Sequence, residues 1–183
     1  MSRPPRARES VLDAFEALLV EDGERAATLD ATARRAGVSK GGLLYHFGSK
    51  DALVDGLIER LHVLSLEDID QIKAAADGPV AAFMRTSIMT GTPLDRTIVA
   101  LSRLAQNGHP SATEALRDLR TLWEDAVRPQ AKDETALQLI MLVSDGLYFN
   151  NALAIGGVPG PVPVGEDLDA LIALVLAAAG RRE

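Results

Sequence analysis

Apolar residues recur three and four places apart along almost the whole chain, and no stretch alternates apolar with polar residues for the length of a strand. That period belongs to helices with one buried face. Val11, Leu12, Phe15, Leu18 and Leu19 form the stripe of a first helix that ends near Asp22-Gly23. Thr28 is suited to cap a second helix, with Asp30 near its positive end, and Gly37 to close it in the left-handed conformation. Ser39 then caps a third helix. Gly48 breaks the chain, Ser49 caps a fourth, and Leu53, Leu57, Ile58, Leu61 and Leu64 make its apolar face.

Ala75 to Pro79 is a short break, and a fifth helix is expected from Pro79, a favoured first helical residue, to Thr90. After Gly91-Thr92-Pro93 a sixth uses Leu94, Ile98, Leu101 and Ala105. Asn107-Gly108-His109-Pro110 reads as a turn. A seventh helix carries Leu116, Leu119, Leu122 and Trp123 and ends before Pro129. The eighth, Glu134 to Ile155, is apolar on nearly every side, with Leu137, Leu139, Ile140, Met141, Leu142, Val143, Leu147, Phe149 and Leu153. Such a helix is expected to be buried all round. The Gly- and Pro-rich stretch Gly156 to Gly165 is a loop, and a last helix runs from Glu166 or Asp167 to near Gly180, carrying Leu168, Leu171, Ile172, Val175, Leu176 and Ala179. The predicted fold is all-α with about nine helices. Residues 1–50 form an N-terminal three-helix, helix-turn-helix domain, and residues 51–183 a C-terminal helical ligand-binding and dimerisation domain. A helix from about 50 to 76 links the two.

Charge sharpens this picture. The chain carries a net charge of −7, which argues against a protein that coats nucleic acid generally. From Ala31 to Lys50, however, the charged residues are Arg34, Arg35, Lys40 and Lys50, with no acid among them, and Arg3, Arg6 and Arg8 add a basic arm. From Leu61 onward ten Lys and Arg face sixteen Asp and Glu. A basic patch beside an acidic remainder would confine DNA to one surface.

The third helix has unusual chemistry. Gly41 and Gly42 cost a short helix about 1 kcal/mol each relative to Ala. A merely solvated helix would carry Glu, Gln and Lys. A helix pressed into the major groove gains close approach from Gly. Ser39 and Lys40 suit phosphate oxygens. Tyr45 and His46 suit phosphates, base edges and thymine methyls. Lys50 lies within reach of a flanking phosphate, while Leu43 and Phe47, four apart, share a face and are expected to pack on the first helix.

The run Gly37-Val38-Ser39-Lys40-Gly41-Gly42-Leu43-Leu44-Tyr45-His46-Phe47-Gly48-Ser49-Lys50-Asp51-Ala52-Leu53, with Thr28 to Ala36 before it, resembles the helix-turn-helix signature of the TetR family of bacterial transcriptional regulators. The resemblance covers roughly the first third of the chain. It implies a homodimer whose N-terminal domains each read half of a palindromic, double-stranded DNA operator, and a C-terminal domain that binds a small effector and releases the DNA. By motif position it implies that Thr28 contacts a phosphate, that Lys40, Gly41, Gly42, Tyr45 and His46 face the groove, and that Lys50 contacts the backbone. Leu44 departs from the family, which commonly has an aromatic there; an apolar contact with a base methyl would replace the lost hydroxyl.

For the effector, Met84, Met89 and Met141 are adaptable apolar liners. Trp123, Tyr148 and Phe149 offer flat surfaces. Arg103, Asn107, His109, Asn150 and Asn151 would orient polar groups. The scarcity of buried charge in helices six to eight suggests a mostly apolar ligand. The two apolar C-terminal helices, paired across a two-fold axis, would form a four-helix dimer seam, with Ala152, Ala154, Ala170 and Ala173 allowing close approach. The chain has no cysteine and three widely separated histidines, and it lacks phosphate-loop, dinucleotide and nucleophile-elbow motifs. No cofactor, metal or enzymatic chemistry is therefore expected. No apolar run is long enough to span a membrane and no apolar signal core follows the basic start, so the expected location is the cytoplasm. The alternative reading is an all-α small-molecule-binding protein or enzyme without operator function.

Overall fold

The computed structural model describes residues 4–155, 158 and 160–179; the side chains of Pro4, Pro5, Ala154 and Ile155 are outside the description. Arg3, Ala154 as a packing residue, and the helix end near Gly180 therefore lie outside the described residues. Among the described residues the chain is all-α, with α1 (Pro4–Glu21), α2 (Leu29–Ala36), α3 (Lys40–His46), α4 (Lys50–Ala74), α5 (Pro79–Thr86), α6 (Pro93–Gln106), α7 (Pro110–Val127), α8 (Glu134–Ile155) and α9 (Glu166–Ala179). A single 3-10 turn, Arg128–Gln130, follows α7, with Pro129 inside it. The described part of the Gly- and Pro-rich stretch is irregular.

One helix is shorter than its apolar pattern suggested. α5 ends at Thr86 rather than Thr90. The hydroxyls of Thr86 and Ser87 both donate to the Phe83 carbonyl, at 3.0 and 2.8 Å, and Ser87 Oγ lies 2.6 Å from Ser144 Oγ. Side chains that serve the last-turn carbonyls in this way compete with continuation of the helix. Met89 consequently falls outside it. α6 then starts on a full capping box, in which Thr92 accepts from the Asp95 amide and Asp95 accepts from the Thr92 amide.

Packing divides the chain into two compact units. The first comprises the chain up to Leu64 together with Gly91–Leu119; the second comprises Ser65–Thr90 and the chain from Arg120 onward. This partition does not fall at residue 50. The first half of α4 is a wall of the first core, with Leu53, Val54, Leu57 and Leu61 buried. α6 lies along α1 and joins the same unit.

The first unit holds a buried acid in its seam. Glu16, one position after Phe15 on the apolar face of α1, is buried. Its carboxylate accepts from Arg60 Nη1 of α4 at 3.3 Å and from Arg96 Nε and Thr97 Oγ1 of α6 at 3.1 and 2.8 Å. Arg60 also pairs with Glu9 at 2.7 Å and Asp13 at 2.9 Å. Burial works against the Arg60 charge, but the Glu9 hydrogen bond and the charges of Asp13 and Glu16 more than offset it and raise its pKa above the ordinary value. Glu9, Asp13, Arg60 and Arg96 line a surface cleft of about 460 Å³ together with the apolar Leu12, Val63 and Leu64.

The second unit is an apolar cluster around Phe83 and Met84 of α5, Leu137, Ile140 and Met141 of α8, and Ile172 and Val175 of α9. The burial expected all round α8 counts a partner subunit on one of its faces. In a single chain Leu142 and Phe149 are 66% and 63% exposed, as is Leu174 of α9 at 66%. One face of each helix fills the core and the other is uncovered.

Breaking a buried ion cluster by removing one partner leaves the remaining charges uncompensated. Glu16→Ala should cost about 3 kcal/mol, the lower end of that range because Arg96 is half exposed. Urea denaturation followed by circular dichroism measures it; a loss below roughly 1 kcal/mol would show that the cluster contributes little.

Candidate nucleic-acid interface

The helix-turn-helix is built by local capping. Thr28 is extended and its side chain accepts from the Ala31 amide at 3.2 Å. Gly37 has φ +68, which a side chain would disfavour, and its amide and that of Val38 bond back to Arg34 and Ala33 at 3.2 and 3.0 Å. Ser39 follows at once, its Oγ accepting from the Gly42 amide at 3.0 Å. The hydroxyl expected on a phosphate is thus already capping α3.

α3 has seven residues and two faces. Leu43 and Phe47 point inward and are buried, as their spacing required. Phe47 meets Leu12 over Gly56 of α4, where an added Cβ would lie 2.9 Å from both side chains. Arg8 stands over the Phe47 ring at 5.3 Å. The opposite face carries Lys40, Gly41, Leu44 and Tyr45, with Tyr45 83% exposed. His46 is half-buried, edge-on to the Tyr45 ring at 5.0 Å. A Cβ at Gly41 would meet nothing within 4 Å, and one at Gly42 would meet only Ser39 Oγ and Val38 Cβ, at 3.3 and 3.9 Å. Neither glycine has a positive φ. Among the described residues no contact therefore accounts for Gly41.

The basic patch is not unopposed. Lys40 pairs with Asp30 at 3.0 Å, Arg35 with Glu21 at 2.5 Å and Asp22 at 3.8 Å, and Lys50 with Glu24 at 3.2 Å. Lys50 also donates to the Glu24 carbonyl at 3.1 Å. Two acceptors engage its ammonium at the start of α4 and tie the α1–α2 loop to α4, so a flanking phosphate would compete with them for Lys50. Burial pushes the Glu24 carboxyl up, but the hydrogen bond and charge of Lys50, the Asn107 hydrogen bond and the His109 charge together hold it below its ordinary value.

The effector candidates do not converge as one set. Arg103 and Asn107 belong to the first unit, Asn107 beside Glu24. Met84, Met89, Trp123, Met141, Tyr148, Phe149 and Asn151 belong to the second. There Met84 and Met141 are buried core, and Trp123 packs on Phe83 at 5.6 Å while its Nε1 donates to Asp68 at 2.9 Å. Asn151 donates to the Leu147 carbonyl at 2.9 Å, and Phe149 points outward. Sequence reasoning passed over Glu16 and Glu24. A charged residue four places from Leu12 on an apolar stripe was the available signal for Glu16; Glu24, in a loop, gave none. Among the described residues no group of acids and histidines could hold a metal ion, and no helix is long and apolar enough to cross a membrane.

Comparison with known proteins agrees with this geometry. Residues 11–57 match the family model of bacterial regulatory proteins, tetR family. No curated protein matches the chain by sequence. Among solved structures, a transcriptional regulator from Rhodococcus sp. Rha1 is 21% identical with TM-score 0.65, the match covering 100% of each chain. GusR of Salmonella enterica is 16% identical with TM-score 0.70, covering 97% of each chain. SmeT in complex with triclosan is 18% identical with TM-score 0.65, covering 96% of this chain and 92% of that one; SmeT is the repressor of a Stenotrophomonas maltophilia multidrug efflux pump.

The Lys50 tie has a pH signature. Because the folded-state pKa of Glu24 is depressed, the tie contributes fully above the unfolded carboxylate value and is lost as pH falls through the folded one. Lys50→Ala should cost about 1 kcal/mol at neutral pH, and the gap to wild type should close as pH drops below roughly 4. The slope of log affinity for DNA against log salt should stay unchanged. Denaturation curves across pH and a salt titration check both; a slope flatter by about one would return Lys50 to the phosphates.

Proposed function

We propose that this chain, a TetR-family regulator by its matched N-terminal domain, is a sequence-specific, ligand-responsive transcriptional repressor that binds a palindromic operator as a homodimer and leaves it when a small molecule binds. The observation that carries the reading is Gly41. It costs helix stability, a Cβ added there would meet nothing within 4 Å among the described residues, and it shares the exposed face with Tyr45, turned away from the core. A surface that makes its own backbone accessible in this way suits the edge of a base pair or a phosphate. Lys40, Gly41, Gly42, Leu44, Tyr45 and His46 are assigned to the groove, and Thr28 and Ser39 to flanking phosphates.

Dimerisation is assigned to the uncovered face of α8 and α9. Leu139, Leu142 and Phe149 recur along α8, and Leu174 sits among alanines on α9. Exposed apolar area of this kind marks an association surface, and two copies related by a two-fold axis would bury it against itself. Recognition helices of the pair then enter major grooves one helical turn apart, about 34–36 Å, or a multiple of it. The effector is assigned to the second unit, where the flexible Met84 and Met141 stand beside Phe83 and Trp123 and admit a mostly apolar molecule. A ligand that favours a splayed dimer shifts the population away from DNA. α4 and α7 each begin in the first unit and end in the second, so they are the covalent route for that shift.

Selection from a random duplex library tests the function directly; enrichment of a palindrome is the expected result, and binding that ignores sequence would favour a small-molecule-binding protein without an operator. Gly41→Ala should raise thermal stability, by up to about 1 kcal/mol, yet weaken operator binding roughly tenfold or more. Unchanged operator affinity would mean that nothing approaches this backbone. Leu142→Glu should convert the dimer to a monomer in sedimentation analysis and abolish operator binding at concentrations that saturate wild type; a persisting dimer would place the seam elsewhere.

A further inference from the structure

We infer that Arg8 is a positioning residue for the recognition helix: its guanidinium, held by Glu59 of α4, covers the Phe47 ring and so fixes α3, and it makes no contact with the DNA itself. The inference rests on the DNA-binding reading above and concerns what sets that surface in place. In the sequence Arg8 stands in a basic run with Arg3 and Arg6 and invites assignment to a phosphate. Folding gives it other partners. Its Nη2 donates to Glu59 Oε2 at 2.5 Å and its Nη1 to Glu9 Oε1 at 3.1 Å. The guanidinium carbon lies 5.3 Å from the centre of the Phe47 ring.

Arg8 precedes Leu12 by one turn of α1, and Glu59 follows Gly56 by one turn of α4. The Arg8–Glu59 pair is therefore the layer next to the place where Leu12 and Phe47 meet over Gly56. It ties α1 to α4 beside the buried ring. Phe47 also closes α3, its amide donating to the Leu43 carbonyl at 2.8 Å. The exposed Tyr45 is two residues away. A seven-residue helix has no rigidity of its own, so slack at the Phe47 ring passes directly to the exposed face. Contacts to base edges need side chains held within about 0.5 Å. A planar guanidinium stacks on an aromatic ring while it bonds a carboxylate, and a lysine ammonium does not reproduce that geometry.

The two assignments of Arg8, to a phosphate or to Phe47, differ in sign at Glu59. If Arg8 bound a phosphate, removing the Glu59 charge would release the cation and tighten DNA binding. If Arg8 covers Phe47, the same change loosens the cover and weakens DNA binding. Glu59 is itself exposed, so its loss leaves the core of the unit untouched.

The test uses the full chain and fluorescence anisotropy on the selected operator, between about 50 and 200 mM salt. Arg8→Lys keeps the charge and should still weaken binding, by about fivefold at each half-site. Arg8→Gln should bind as weakly with an unchanged log-log salt slope, where loss of a phosphate contact would flatten it by about one. Glu59→Gln should weaken binding about twofold. Asp55→Asn, which removes an exposed acid one turn earlier on α4, should leave affinity equal or higher. In the free protein, hydrogen exchange of residues 40–47 should be faster in Arg8→Lys and Glu59→Gln than in wild type, with residues 134–141 of α8 as the unchanged reference. Operator binding kept by Arg8→Lys or tightened by Glu59→Gln overturns the inference. So does exchange of α3 at the wild-type rate in both variants, or a loss of binding from Asp55→Asn equal to that from Glu59→Gln. A wild type that selects no sequence defeats the regulator reading, and the exchange rates then decide the role of Arg8 by themselves.

Discussion

The surface assigned to DNA depends on how little holds α3 in place. A seven-residue helix with two glycines has no stability of its own, because nucleation is costly and few hydrogen bonds repay it. Two side chains, Leu43 and Phe47, attach it to the rest of the unit. Phe47 reaches Leu12 only because Gly56 leaves space for both. With the inward face reduced to two anchors, Lys40, Gly41, Leu44 and Tyr45 are left exposed on the other.

That anchorage requires a firm base, and the first unit supplies it with charge as well as apolar contact. Glu16 draws α4 and α6 onto α1 through Arg60, Arg96 and Thr97. Buried ion clusters contribute less to net stability than their contact lists suggest, because desolvation offsets attraction. They do penalise misalignment heavily, since a shifted helix strands a charge. That penalty fixes α4 and α6 against α1.

The second unit is organised differently. Its core is nearly all aliphatic and aromatic, with the Ser87–Ser144 hydroxyl pair as a polar island. Two of its buried residues, Met84 and Met141, are methionines, whose unbranched side chains adapt to irregular space. The chain passes between the two units within α4, within α7 and at Thr90–Gly91.

Much of this was legible in the residues. Apolar spacing located the helices, and the capping residues Thr28, Gly37 and Ser39 fixed the turn, because those signals act between near neighbours. Leu43 and Phe47 could be assigned inward from spacing, whereas the outward place of Tyr45 was implied by the motif resemblance. Three features depended on contacts distant in sequence. The run from Ala31 to Lys50 holds no acid, yet folding brings Glu21, Asp22, Glu24 and Asp30 onto its cations. α6 joined the N-terminal unit because Glu16 binds Arg96 and Thr97, 80 and 81 residues away. α8 reads as a helix buried all round, and a single chain leaves Leu142 and Phe149 bare. Local sequence determined which helices form and which way each one faces. The tertiary structure alone decided which charges meet and which apolar faces remain uncovered, because Coulomb attraction and burial act across space without regard to distance along the chain.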